Sequence, residues 1–379
     1  MIISNKNNKY VRTLCAILFC VFTLLYLYFY QADIMMFTQH VCSDGQTHYH
    51  RVVGALLVTF ILMLIQFGVG RLFKQLDLLY ALSYLPSLML LTALTSIRIE
   101  SGIYSFGPWG YVLPIMLVSF ILVLCVMRKV SYDTRFMYHY SIQILTLSNL
   151  AIMLLSFLGV LTLSNSSYKL HVQLKAERLI MEKNYDEALD VLAKNDRPDS
   201  SLTMLTAFAL AHKGELGERL FCYPLTGGSA ALTPDNKTTR LAMCDESHFY
   251  DYIGVWTKQK MGSKRYLDYL LRHRLGKKPF ADYFLSSLLL DKELDKFVYY
   301  IMKFYNVRGL LPTHYREALL LYTHLRTNPV IIFHSTLMEA DFQDFQDLEN
   351  KYGNKTERKN MLRDMYGNTY WYYGFIRTA

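Results

Sequence analysis

Several donor side chains crowd one short stretch of this 379-residue chain: His40, Cys42, Asp44, His48 and His50. Imidazole, thiolate and carboxylate are all transition-metal ligands. The stretch is therefore a candidate metal site, with His40, His48 and His50 its first donors. His48 and His50 would share a face if the backbone is extended. The order His-x-Cys-x-Asp-x3-His-x-His fits no standard zinc spacing, and Gly45 reads equally well as the centre of a polar turn. The residues alone assign no metal and no cofactor.

Three further constellations could do chemistry or recognition. Cys222 and Cys244 flank a loop containing Pro224, Gly227, Gly228 and Pro234. In an oxidising compartment they could form a disulfide, worth about 3 kcal/mol by the chain-entropy argument. Residues 258–278 carry Lys258, Lys260, Lys264, Arg265, Arg272, Arg274, Lys277 and Lys278 against Asp268 alone, interleaved with Tyr266 and Tyr269. Such a face suits an acidic partner, an anionic glycan or lipid headgroups. The run Tyr370-Trp371-Tyr372-Tyr373 could stack on a sugar or meet a partner, or cap a helical array. No nucleophile elbow, Walker loop, His-Glu-x-x-His or Rossmann glycine fingerprint occurs.

What must position these residues is mostly apolar. Hydrophobic residues make up 52% of the chain and charged residues 19%, which excludes a disordered chain. The windows 13–30, 52–70, 78–97, 109–127 and 141–163 lack any Asp, Glu, Lys or Arg. Each is long enough to cross about 30 Å of hydrocarbon as a helix. In lipid every backbone polar group must be satisfied, so these windows predict five transmembrane helices. Cys15, Cys20 and Cys125 then read as apolar filling within them. The first window follows Lys6, Lys9 and Arg12 like a signal peptide, but it ends in Leu27-Tyr28-Phe29-Tyr30. Bulky aromatics there predict an uncleaved anchor.

Charge predicts the orientation. Lys6, Lys9, Arg12, Arg71, Lys74, Arg128, Lys129 and Arg135 fall on one side of the five spans, and only Arg51 and Arg98 on the other. The positive-inside bias predicts a cytoplasmic N-terminus and an extracytoplasmic C-terminal half. The net charge of +9 divides accordingly. Residues 1–164 hold 10 basic against 5 acidic side chains, and residues 165–379 hold 30 against 26. Most of the excess is thus a topology signal, which argues against a nucleic-acid partner. No Asp, Glu, Lys, Arg or His lies inside a window, which argues against an ion-coupled transporter.

Beyond residue 164 the pattern is helical. Tyr185, Ala188, Leu189 and Leu192 form one apolar stripe at spacings of three and four, with Asp186 and Glu187 in the first turn. The segment Ala176 to Leu189 resembles a tetratricopeptide repeat. Its turn glycine is replaced at Lys183-Asn184, where Asn tolerates a left-handed backbone. A second unit runs from Ser201 through Gly214 to Phe221. Asn184 and Gly214 are 30 residues apart, near the period of about 34 for such repeats. A weaker echo is His314 to Tyr322. Further helices are expected over 246–258, 263–274, 279–289 and 293–305.

The whole layout also resembles a family of multi-pass membrane proteins of Bacteroidota with a tetratricopeptide-like C-terminal helical domain. The likeness rests on Tyr30-Gln31, on Ser43-Asp44-Gly45-Gln46-Thr47-His48-Tyr49 and on Asn368-Thr369-Tyr370-Trp371-Tyr372-Tyr373. It implies no particular activity. The expected fold is all-α, a five-helix transmembrane bundle over 1–164 and an extracytoplasmic helical-repeat domain over 165–379, in an inner membrane. Helical arrays offer extended surfaces for protein segments. The expected role is non-enzymatic: the lipid bilayer anchors the chain and the repeats hold a protein partner in envelope assembly. A membrane enzyme of glycan or lipid metabolism, using loops 31–51 and 98–108, is the alternative, and a transport component the second. The interaction residues expected are Lys264, Arg265, Arg272, Arg274, Tyr370, Trp371 and Tyr372.

Overall fold

In the computed structural model of the chain, the described residues are 2–47, 49–73, 77–100, 103–105, 107–134, 141–195, 197, 199–235 and 238–375; at 2–7, 98–100, 103–105, 128, 130–134 and 375 only the backbone path is described. The protein is α-helical, with one small β-hairpin among the described residues. The chain divides into two compact units, Met1–His171 and Val172–Ala379.

The first unit opens with α1 (Ile2–Leu25), which continues through a π-helical turn at Tyr26–Tyr30. Then come α2 (Ala32–Cys42), α3 (Arg51–Gly70), a 3-10 segment at Asp77–Tyr84 and α4 (Leu85–Leu94). Strands β1 (Arg98–Glu100) and β2 (Ile103–Ser105) pair antiparallel, with Ile99 opposite Tyr104. Helices α5 (Trp109–Thr134) and α6 (Ile142–Leu163) follow. Five helical segments are long and apolar enough to cross a membrane: Asn8–Tyr30, Arg51–Gly70, Asp77–Leu94, Trp109–Met127 and Ile142–Leu163. Their mean hydropathies run from 1.4 to 2.6. The third is enclosed by the others, whereas the fourth is almost bare of protein contacts.

The third segment is not one α-helix. Pro86 lacks an N–H and suits the first turn of a helix, so α4 begins there and the preceding residues wind more tightly as 3-10. Polar side chains from neighbouring helices satisfy the loosened backbone. Asn149 on α6 accepts from the Ala81 N–H (2.7 Å) and donates to the Asp77 carbonyl (2.9 Å). Gln66 on α3 donates to Tyr80 and Ser83, both at 3.2 Å. At the start of the same segment Asp77 accepts from Arg12 (2.7 Å) and Asn8 (2.6 Å). In lipid these bonds replace water, as a broken spanning helix requires.

The second unit packs helical hairpins around one continuous core. Its helices are α7 (Tyr168–Met181), α8 (Tyr185–Ala193), α9 (Ser200–Lys213), α10 (Leu216–Arg219), α11 (Glu246–Ile253), α12 (Ser263–His273), α13 (Phe280–Leu290), α14 (Leu294–Phe304), α15 (Thr313–Leu325), α16 (Thr336–Lys351), α17 (Lys355–Tyr366) and α18 (Tyr370–Phe375). Short 3-10 turns occupy Leu220–Cys222 and Gly228–Leu232. Helices α9 and α13 are apolar nearly all round and lie in the centre of the core, as such helices must.

Three hairpins share one turn. Lys183, Gly214 and Lys292 stand in the left-handed conformation at φ of 60°, 71° and 60°, between α7 and α8, α9 and α10, and α13 and α14. Each left-handed residue donates its N–H three residues back: Lys183 to Ile180 (2.9 Å), Gly214 to Ala211 (3.0 Å) and Lys292 to Leu289 (3.1 Å). The next N–H reaches five back: Asn184 to Leu179 (2.8 Å), Glu215 to Leu210 (2.9 Å) and Glu293 to Leu288 (2.8 Å). These bonds close the last carbonyls of the first helix. Asn184 is not the left-handed residue. Its side chain instead accepts from the Glu187 N–H and caps α8. Lys183 takes the left-handed conformation, at a cost of roughly 1 kcal/mol, and leaves Asn184 free to cap α8.

Candidate functional site

The α7–α8 hairpin, α9, the segment 241–245 and α11 line a cavity of about 510 Å³ in the helical unit. Apolar side chains make most of its wall, among them Ile180, Met181, Leu205 and Phe249. Its polar rim carries Lys183, Asp245 and His248. His212 is a wall residue held flat between two tyrosines. Its ring stacks on Tyr185 (4.8 Å between centroids, 8° between planes) and on Tyr252 (3.8 Å, 17°). Phe208 meets it edge-on at 4.6 Å, and Tyr252 is fixed by donating to the Ala211 carbonyl at 2.8 Å. Burial, helped by the charges of His248 and Lys183, lowers the His212 pKa to about 4. At neutral pH the ring is therefore uncharged and serves as an aromatic surface.

Glu177 anchors one edge of this cavity. Its fully buried carboxylate accepts the N–H groups of Ala242 (2.9 Å), Met243 (2.6 Å) and Cys244 (3.1 Å), and the Gln173 amide at 2.8 Å. Burial raises its pKa in spite of those four donors. The carboxylate thus holds the segment that brings Leu241 and Cys244 to the cavity wall. A buried acid on α7 whose backbone partners lie more than sixty residues away gives no sequence signal.

The residues expected to act divide sharply. His40 lies in the last turn of α2, an unanticipated helix in what reads as a polar loop, and His50 is the residue before α3. His48 lies outside the described residues. Among the described residues no group of three or more His, Cys, Asp or Glu is placed to hold a metal ion. Asp44 sits in a left-handed turn at φ 51°, beside Gly45 at φ 75°. Within the loop 98–108 the described residues are the two strands, as backbone, and Gly107-Pro108; the Glu100 side chain is not described.

The aromatic run is not an open platform. Tyr370, Trp371 and Tyr372 are 1%, 2% and 5% exposed. Tyr370 donates to the Leu289 carbonyl (3.2 Å) and Tyr373 to the Leu290 carbonyl (3.1 Å), covering carbonyls at the end of α13. Trp371 donates to the Glu317 carbonyl at 3.0 Å. The run caps the core, because that much aromatic surface gains most by leaving water.

The basic run keeps only part of its expected freedom. Lys264 is committed to Asp291 (3.2 Å) and to Glu293, tying α12 to the turn between α13 and α14. Lys260 pairs with Glu246 at 2.8 Å. Arg265, Arg272 and Arg274 stay exposed, opposite the buried stripe Tyr266, Leu267 and Leu270.

The possible Cys222–Cys244 disulfide is not formed, and both thiols are free. Cys244 lies against the Glu177 carbonyl (3.8 Å), while Cys222 faces other groups altogether. Its Sγ is 3.8 Å from His314 Nε2 and 3.6 Å from the Asn368 carbonyl oxygen. The Phe221 N–H donates to the same His314 nitrogen at 3.3 Å. On the other side of the ring, Nδ1 is 2.9 Å from Glu317 Oε2, which also accepts the Tyr370 N–H at 2.7 Å. His314 and Glu317 are both buried. Burial works to lower the His314 pKa, but hydrogen bonds to Cys222 and Glu317 prevail and the net shift is upward. The helix from His314 to Tyr322 reads as a repeat echo, and its polar pair at spacing three was the missed signal.

A family model, described as "Family of unknown function (DUF6057)", matches residues 98–261 and 251–377. No curated protein and no solved structure matches the chain. The family match runs from the β-hairpin, through the last two membrane-length helices, to the aromatic cap. The chain therefore belongs to the DUF6057 family.

Proposed function

We propose that this is an integral membrane protein whose helical unit holds a segment of a protein partner, with the cavity beside His212 receiving an apolar side chain of that segment. The observation that carries the reading is the cavity itself: about 510 Å³, mostly apolar, walled by a neutral stacked imidazole and rimmed by Lys183, Asp245 and His248. Ligand sites generally combine such walls with a few placed polar groups. The recurring left-handed turns at Lys183, Gly214 and Lys292 support a tetratricopeptide-like arrangement of the hairpins, an architecture suited to peptide segments. The excess of Lys and Arg on one side of the spans supports a cytoplasmic N-terminus in a bacterial-type inner membrane, with the helical unit outside the cytoplasm as an envelope scaffold.

The test is a photo-reactive amino acid at Met181, which lines the cavity and is 45% exposed, compared with one at Tyr299, which is 53% exposed and outside the lining. In native membranes Met181 should yield one discrete protein adduct and Tyr299 none. The adduct should vanish when Leu205→Trp fills the cavity in a chain that still folds. Equal adducts at both positions, or an adduct indifferent to the filled cavity, contradict the proposal. A phosphatase fused after residue 375 should be active if the helical unit is extracytoplasmic, and inactive otherwise.

A further inference from the structure

We propose that Cys222 is a nucleophilic thiol, activated by His314 and Glu317, that undergoes exchange with accessible disulfides. The arrangement has the parts such chemistry needs: a nucleophile within reach of a base, and a third group orienting the base. Cys222 is an exposed residue, and its Sγ is 3.8 Å from Nε2, a looser contact of the kind found when no reactant is bound. Glu317 Oε2 at 2.9 Å takes the Nδ1–H, and its carboxylate stabilises the imidazolium formed when Nε2 takes the thiol proton. The Phe221 N–H shares that nitrogen at 3.3 Å. Glu317 touches no reactant and is a positioning residue. Its own orientation is fixed by the Tyr370 N–H at 2.7 Å.

The surroundings select the class of reactant. Acyl transfer needs N–H donors aimed at a developing oxyanion. The Phe221 N–H is already given to His314, and the Tyr223 N–H to the Leu220 carbonyl at 3.3 Å. Disulfide exchange needs no oxyanion site, only a thiolate with open approach. In the step, the Cys222 proton passes to His314 Nε2 and Sγ attacks one sulfur of the disulfide. A new S–S bond forms as the old one breaks. The departing thiolate takes the proton back from His314. The products are a mixed disulfide at Cys222 and one free thiol, so no further oxidant is needed. Loss of the Sγ contact to the Asn368 carbonyl would accompany the reaction, because the new sulfur substituent occupies the exposed side.

The internal control is Cys42, an exposed thiol in the first unit. The full-length protein in detergent is treated with 4,4′-dithiodipyridine, and labelling of each cysteine is followed by mass spectrometry. Cys222 should react at least tenfold faster than Cys42 at pH 7. His314→Gln should remove that advantage, and Glu317→Gln should move the rate profile of Cys222 to higher pH. The other groups facing the pair are Arg219 and Tyr223, neither of which these variants alter. Equal rates at Cys222 and Cys42 in the unaltered protein overturn the proposal. So does an unchanged Cys222 rate in His314→Gln that melts like the parent. If His314→Gln fails to fold, the comparison of Cys222 with Cys42 and the Glu317→Gln profile still decide the matter.

Discussion

Around His212 the neighbours are rings: Tyr185 and Tyr252 on its two faces and Phe208 at its edge. Around His314 they are a thiol, a carboxylate and a backbone N–H. Both side chains belong to the same helical unit and share its single core. The first environment offers nothing to a positive charge, so the ring stays neutral and acts as wall. The second compensates the charge, so the ring becomes a stronger base although it is the more deeply buried of the two. What a buried histidine does here depends on its partners and not on its depth.

The sharpest way to break this contrast is to remove the partner of His314. Glu317→Ala leaves the His314 Nδ1 and the Tyr370 N–H without their acceptor, and should cost about 3–4 kcal/mol of unfolding free energy, read from denaturant melts of the purified chain. His212→Phe, which keeps an aromatic wall, should cost less than about 1 kcal/mol. A cost for His212→Phe equal to that for Glu317→Ala would erase the distinction. Next in size is Phe208→Ala. This residue is 4% exposed and touches His212, Phe249 and Tyr252. Its truncation should cost about 3 kcal/mol and weaken the Met181 photo-adduct.

Acidity offers a smaller but signed effect. The folded pKa of His212 lies below its unfolded value, at about 4 against 6.5. The unfolded chain therefore binds more protons in that window, and stability falls as pH drops from 6.5 toward 4. The partial exposure of the ring limits the loss to about 1 kcal/mol, and His212→Phe should abolish it. His314 has the opposite sign: its folded pKa is raised, so its contribution is present at low pH and fades as pH rises above neutrality. The smallest effect is expected at the basic run. Lys264 is about half exposed, and Lys264→Ala should change stability by less than about 1 kcal/mol.

Much of the first unit is legible as sequence because lipid imposes one rule. Windows without charge must be helices, and five such helices are present. The 3-10 winding before Pro86 is not legible, since the Asn149 bonds to its backbone come from another helix. In the second unit the amphipathic stripe of α12 announces both its buried residues and its exposed arginines. The density of Tyr370 to Tyr373 is visible, but its burial follows from carbonyls on α13 that no local pattern names. Lys183 hid behind Asn184, because capping and left-handed turns favour the same residue type and only one position can take each role. The Cys222 site was least legible: its base lies 92 residues downstream, on a helix that otherwise reads as core.

Within one unit, His212 is a neutral histidine in a cavity wall and His314 a basic histidine beside a thiol. The most direct measurement is the pH titration of the histidine ring protons by NMR in the full-length protein in detergent, with His212→Gln and His314→Gln used to assign the two resonances. His212 should remain neutral until the pH falls well below 6, and His314 should give up its charge only above pH 7. Titration of both rings together near pH 6.5 would contradict it.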